Sequence, residues 1–188
     1  MRRIQSTFAD SSVFFEGADK SFQVLLVFVT GGNSSGEYYM YDRQKDELNR
    51  ALSARPQIGS EFVAPADVIE YKARDGLTIP SILTWPLNRT SEERQNMPLI
   101  VIPHGGPESY DGVGFDCLAQ YFASRGYLVL QPNFRGSDGF GREFLLAGRG
   151  EWGGKMQDDV TDGVQALIRG GYVDPERVCI IGASYGGY

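Results

Sequence analysis

The chain has 188 residues, 41% of them hydrophobic and 22% charged, with a formal net charge of -6 and a pI of about 4.8. Those proportions belong to a soluble globular chain that can bury a core, and at roughly 150 residues per domain the length alone points to one domain. The acidic balance excludes a nucleic-acid surface, which needs a basic patch, and the longest apolar run, Val24 to Val29, is too short to cross a bilayer.

From Phe8 to Pro65 the signals are β. Val13-Phe14-Phe15, Phe22 to Thr30, Tyr38 to Tyr41 and Leu48 to Leu52 read as strands, parted by polar turns at Glu16 to Lys20, Gly31 to Gly36 and Asp42 to Asp46. Strands at this spacing form a meander, and about four antiparallel strands make one propeller blade. A blade cannot bury its faces alone, and no second copy of the unit follows. Val68 to Lys72 and Leu77 to Trp85 are two more strands, joined by a tight turn at Asp75-Gly76.

Beyond Pro98 the pattern alternates. Leu99 to Ile102 is a buried strand, Phe115 to Arg125 a helix capped by Gly126, and Tyr127 to Gln131 the next strand. Pro132 to Gly154 is a long glycine-rich connection. Lys155 to Arg169 is an amphipathic helix with Met156, Val160, Val164, Leu167 and Ile168 on one stripe. Asp174-Pro175 turns the chain into Arg177 to Ile181, which reads as a fully buried strand that includes Cys179. Strands alternating with helices predict a parallel sheet.

Gly182-Ala183-Ser184-Tyr185-Gly186 follows that last strand directly. G-x-S-x-G after a buried strand is the pattern of a nucleophile elbow: the serine sits on a strained turn with its hydroxyl exposed, and the glycines let two backbones approach. His104-Gly105-Gly106-Pro107 leaves the Leu99 to Ile102 strand, where hydrolases of this kind carry an oxyanion loop. His104 is the only histidine. It precedes the serine, whereas in this fold the base follows it, so His104 is read as ordering its own loop. A single histidine rules out multi-histidine metal sites, and no cofactor or metal is expected.

The stretch from Val68 to Tyr188 resembles the first half of the catalytic domain of the prolyl oligopeptidase family, in the style of its acylaminoacyl-peptidase and dipeptidyl-aminopeptidase branch. The matching residues are His104 to Pro107, Pro132 to Ser137 with Gly139-Phe140-Gly141, Trp152-Gly153-Gly154, Asp158-Asp159, Asp174 to Val178 and Gly182 to Tyr188. The resemblance implies an α/β fold. Residues 65–188 would be the first half of an α/β-hydrolase domain, and residues 1–64 the end of a β-propeller. It further implies a serine peptidase acting on short or N-terminally blocked peptides through an acyl-enzyme at Ser184. The Gly106 and Tyr185 N–H groups would be the oxyanion donors, with His104 and Gly105 supporting the loop. A peptide substrate is expected, and neither nucleic acid nor a membrane.

Other features carry less. Gly136 to Gly141 opens no helix, and Gly153-Gly154-Lys155 lacks the frame of a phosphate-binding loop. Asp158 and Asp162 lie one turn apart near a helix start and are expected to face solvent. Arg135 is expected to make a structural salt bridge or bind substrate, and Trp152 to pack in core or loop. Two cysteines, Cys117 and Cys179, make no disulfide framework. Met1-Arg2-Arg3-Ile4-Gln5-Ser6 lacks the apolar core of a secretory leader, so a reducing, cytoplasmic setting is expected and the sequons at Asn33 and Asn88 read as chance matches. The acid and base of a triad are missing after Ser184, so the chain reads as a C-terminally truncated fragment, inactive alone, whose last strand becomes an aggregation-prone edge. The alternatives are a non-catalytic binding module of the same fold and a carboxylesterase fragment.

Overall fold

Residues 2–9 and 11–188 are described by the computed structural model, without the side chains of Arg2 and Arg3; of the charged start, Met1 and those two side chains lie outside the description. The chain divides into two units. One runs to Ala66 and takes back Val113–Cys117; the other holds Asp67–Gly112 and Leu118–Tyr188.

In the first unit a short helix, α1 (Arg2–Thr7), precedes strands β1 (Ser11–Ala18), β2 (Val24–Gly31), β3 (Ser34–Asp42) and β4 (Glu47–Ser53). They form an antiparallel sheet in sequence order, a propeller-like meander. The strands are longer than their apolar runs. Glu16-Gly17-Ala18, expected as a turn, stays in β1 because the register shift between Phe15 and Gly17 absorbs an extra residue as a bulge. Val27 and Val29 are buried, while Phe14, Phe15, Leu26, Met40 and Leu52 stay exposed. Val113–Cys117 is tied back by bonds from Ser12 Oγ to Val113 O (2.6 Å) and from Phe115 N to Thr30 Oγ1 (2.9 Å).

The second unit is a five-stranded sheet in the order β5-β6-β8-β7-β9. Its strands are β5 (Ala66–Lys72), β6 (Thr78–Thr84), β7 (Met97–Val101), β8 (Leu128–Pro132) and β9 (Val173–Ile180). The expected parallel arrangement holds for β7, β8 and β9, whereas β6 runs antiparallel to β8. Its helices are α2 (Cys117–Ala123), α3 (Arg142–Leu146) and α4 (Lys155–Arg169). The continuous apolar runs of β7 and β8 follow from burial on both faces. Leu99, Val101, Leu128 and Leu130 pack with Met156, Val160 and Leu167 of α4. Ile100 and Val129 turn the other way, onto Ala119 of α2. Each such fully buried side chain contributes about 1.5–3 kcal/mol.

α2 ends two residues before its predicted limit, and Gly126 closes it at φ 89° with Tyr127 N donating to Phe122 O (3.2 Å). α3 falls inside the stretch read as pure connection; five residues are too few for a helical period to register. β9 lies at the sheet edge, as expected of the last strand, and pairs only with β7. Its apolar composition reads as fully buried, yet of its eight residues only Val173 is buried, with Cys179 exposed. Its register jumps from Met97 opposite Val173 to Leu99 opposite Val178. The Asp174-Pro175 turn therefore survives as an excursion within the strand, where an edge tolerates proline. Asp174 holds it, accepting from Glu176 N (3.0 Å) and pairing with Arg177 (2.7 Å).

Candidate active site

The end of β9 turns sharply. Ile181 N still donates to Val101 O (2.9 Å). Ala183 keeps an extended backbone, and a 3-10 turn then runs from Ser184 to Gly187. At the corner Ser184 adopts φ 54°, a left-handed conformation that costs a side-chain-bearing residue of order 1–3 kcal/mol. The flanking glycines are steric requirements. A Cβ on Gly182 would lie 1.7 Å from Gly186 O, and one on Gly186 would lie 2.1 Å from Pro103 O.

Pro103 leads into the His104 loop. A Cβ on Gly105 would sit 3.3 Å from Ser184 Cβ and 3.7 Å from its hydroxyl oxygen, so the loop backbone lies against the serine. Gly106 has φ 131° and backs onto Glu108 N. Among the described residues neither the Gly106 nor the Tyr185 N–H has a hydrogen-bond acceptor. A cavity of about 350 Å³ opens beside Gly106, bordered by Glu108, Leu145, Arg149, Trp152 and Met156. Trp152 is exposed and meets the Tyr185 ring edge-on at 5.0 Å, so it packs in the loop and not in the core.

His104 is buried, stacked on Phe134 with centroids 4.4 Å apart. Its Nδ1 lies 2.8 Å from Gly105 O and its Nε2 lies 2.9 Å from Ser137 Oγ. Burial pushes its pKa below the usual histidine range, against the opposing effect of the Gly105 carbonyl. Both ring nitrogens are thus engaged within the loop and its neighbour. Ser137 and Phe134 sit in the Asn133 to Ser137 stretch, where the sequence alone gives them no part, because no local pattern links them to residue 104.

The acidic residues of α4 are structural. Arg135 is nearly buried and forks onto Asp159 through Nε (2.8 Å) and an Nη (2.7 Å), with its backbone N–H also donating to Asp159 (2.9 Å). Its other Nη contacts reach Asp75 in the β5–β6 turn at 2.8 and 3.0 Å. Hydrogen bonds to Asp159 and then to Asp75 raise the Arg135 pKa; Arg135 in turn lowers Asp75 to about 2, while burial pushes Asp159 up. Asp162 is buried and does not face solvent as expected. It accepts the Arg74 N–H (2.7 Å) and its guanidinium (2.9 Å), which also reaches the half-exposed Asp158 (2.8 Å). A loop over the helix, absent from any local pattern, covers it.

Residues 113–188 match the prolyl oligopeptidase family. The chain is 43% identical over 155 residues to dipeptidyl aminopeptidase BIII of Pseudoxanthomonas mexicana, covering 80% of this chain and 22% of that protein. It is 34% identical over 119 residues to the acylamino-acid-releasing enzyme of Sus scrofa, covering 63% and 16% respectively. Among solved structures it resembles the uncomplexed Pyrococcus horikoshii acylaminoacyl peptidase, with a TM-score of 0.75 at 25% identity, over 95% of this chain and 28% of that one. The chain therefore spans between 16% and 28% of the length of these relatives. Among the described residues no helix is long and apolar enough to cross a membrane.

Proposed function

Because the chain belongs to the prolyl oligopeptidase family, we propose that it carries the nucleophile and oxyanion hole of a serine peptidase. Ser184 attacks the scissile carbonyl and holds the acyl group. The N–H groups of Gly106 and Tyr185 stabilise the oxyanion, one such donor being worth about 3–4 kcal/mol. His104 and Gly105 support the loop. The observation that carries this reading is the approach of the Gly105 backbone to a serine held at φ 54°, with the Gly106 and Tyr185 N–H groups lacking an acceptor among the described residues. The names of the relatives, a dipeptidyl aminopeptidase and an acylamino-acid-releasing enzyme, support short or N-terminally blocked peptides as substrates.

A serine hydroxyl needs a base, and the only histidine of the 188 residues spends both nitrogens elsewhere. The 188 residues alone are therefore inactive, and the base comes from chain beyond them. A fluorophosphonate probe is expected to label Ser184 in the protein that includes this further chain, to leave the 188 residues unlabelled, and to miss the Ser184→Ala variant. Efficient labelling of the 188 residues alone would refute the missing base. The engagement of both His104 nitrogens also favours a second reading, a non-catalytic module of the same fold, for which the longer protein stays unlabelled too.

A further inference from the structure

The stretch after β8, Asn133 to Asp138, grips the oxyanion loop on both sides of Gly106. Ahead of Gly106, Phe134 stacks on His104 at 4.4 Å. Beyond it, Asp138 N donates to Ser109 O (2.9 Å), and the buried Asn133 side chain takes hold of Asp111. Its Oδ1 accepts the Asp111 N–H at 2.7 Å, and its Nδ2 donates to the Asp111 carbonyl at 2.9 Å. A side-chain amide carries the same donor and acceptor as a peptide group, so this one residue pairs with Asp111 as a neighbouring strand would. The two partners also leave the amide a single orientation, since reversing it would set donor against donor and acceptor against acceptor. The gripping stretch is itself anchored. Asn133 N donates to Pro80 O of β6 (3.0 Å), and Arg135 forks onto Asp159 of α4.

The residues held in this way bear on Gly106. Ser109 N donates to Pro107 O (2.8 Å), and the chain folds back so that a Cβ on Gly106 would lie 2.8 Å from Glu108 N and 3.2 Å from Ser109 Cβ. Gly106, at φ 131°, has no side chain of its own to fix the direction of its N–H. That direction is set by whatever holds the turn. We propose that Asn133 is a positioning residue for the oxyanion hole: by pairing with both backbone groups of Asp111 it fixes the turn from Pro107 to Asp111, and with it the aim of the Gly106 N–H. The catalytic meaning of this brace rests on Ser184 being the nucleophile; the brace itself does not.

Asn133→Leu keeps the size of the side chain and removes both bonds. It is tested in the protein that includes the further chain, with active sites counted by fluorophosphonate so that unfolded molecules do not enter the rate. On a peptidyl p-nitroanilide, kcat per site is expected to fall about tenfold or more with KM within about twofold, the mark of a misaimed transition-state donor. A peptide aldehyde adds reversibly to the Ser184 hydroxyl, and its carbonyl oxygen becomes the hemiacetal oxygen in the hole. Its affinity is expected to fall by a similar factor. Intact kcat with intact aldehyde affinity overturns the proposal, and so does a raised KM at intact kcat. Hydrogen exchange on the wild type needs no variant: the Asp111 amide is expected to exchange about 100-fold or more slowly than in an unfolded chain. Free exchange there removes the brace even where Asn133→Leu fails to fold. Failure of fluorophosphonate labelling in the wild type would instead sink the nucleophile, leaving the Asp111 exchange to judge the brace by itself.

Discussion

Ser184 sits at a strained corner. Its left-handed backbone, φ 54°, suits glycine better than any residue with a Cβ. Replacing it with glycine relieves that strain, and replacing it with alanine keeps it while removing the same hydroxyl. Ser184→Gly is therefore expected to be more stable than Ser184→Ala by about 1 kcal/mol, after the greater unfolded-state entropy of glycine is set against the relief. Urea unfolding of the two variants measures the difference, and equal midpoints would mean the corner is not strained. This corner was legible in the sequence because strain, glycine spacing and the preceding strand are all local. The Ser137 contact to His104 was not: the residues are 33 apart, and a buried serine has no pattern of its own.

At the scale of elements, Arg135 ties three pieces together: the connection after β8, helix α4 through Asp159, and the β5–β6 turn through Asp75. The amphipathic stripe of α4 was readable with its limits, since apolar spacing reports burial. Its polar partners were not, because Asp159 reads like any charge near a helix start until the sheet brings Arg135 over it. Asp159 is fully buried, so Arg135→Met strands a carboxylate and is expected to cost about 3–5 kcal/mol. Adding Asp159→Asn should recover much of that loss, and Arg135→Lys should recover only part, because an ammonium cannot reproduce the fork. Asp75 gives the pH dependence. Its folded pKa of about 2 lies below the ordinary 3.8, so its contribution is present above 3.8 and is lost as pH falls toward 2. The stability gap between wild type and Asp75→Asn should therefore close between pH 4 and pH 2 in unfolding experiments, and a gap that widens on acidification would contradict the pairing.

For the molecule as a whole, class and order of elements followed from hydrophobic period, and burial of the last strand did not. Arg177 to Ile181 reads as interior because its composition is that of a central strand, and composition says nothing about how many neighbours a strand has. In the 188-residue chain β9 has one neighbour, β7, and presents Val178 and Ile180 to solvent at 38% and 53% exposure along an open edge. A net charge of -6 opposes association at long range, but that repulsion is screened beyond about 8–10 Å in physiological salt, while an unpaired row of backbone groups acts at contact. The chain is therefore expected to self-associate with rising concentration and salt, with β9 as the pairing edge. The exposed Phe14 and Phe15 of β1 offer a rival route by face-to-face apolar contact. Light scattering on Ile180→Lys and Phe15→Lys separates the two: a charge on β9 should suppress association while the charge on β1 leaves most of it in place. Suppression by Phe15→Lys alone would move the sticky surface from the edge of the second sheet to the face of the first.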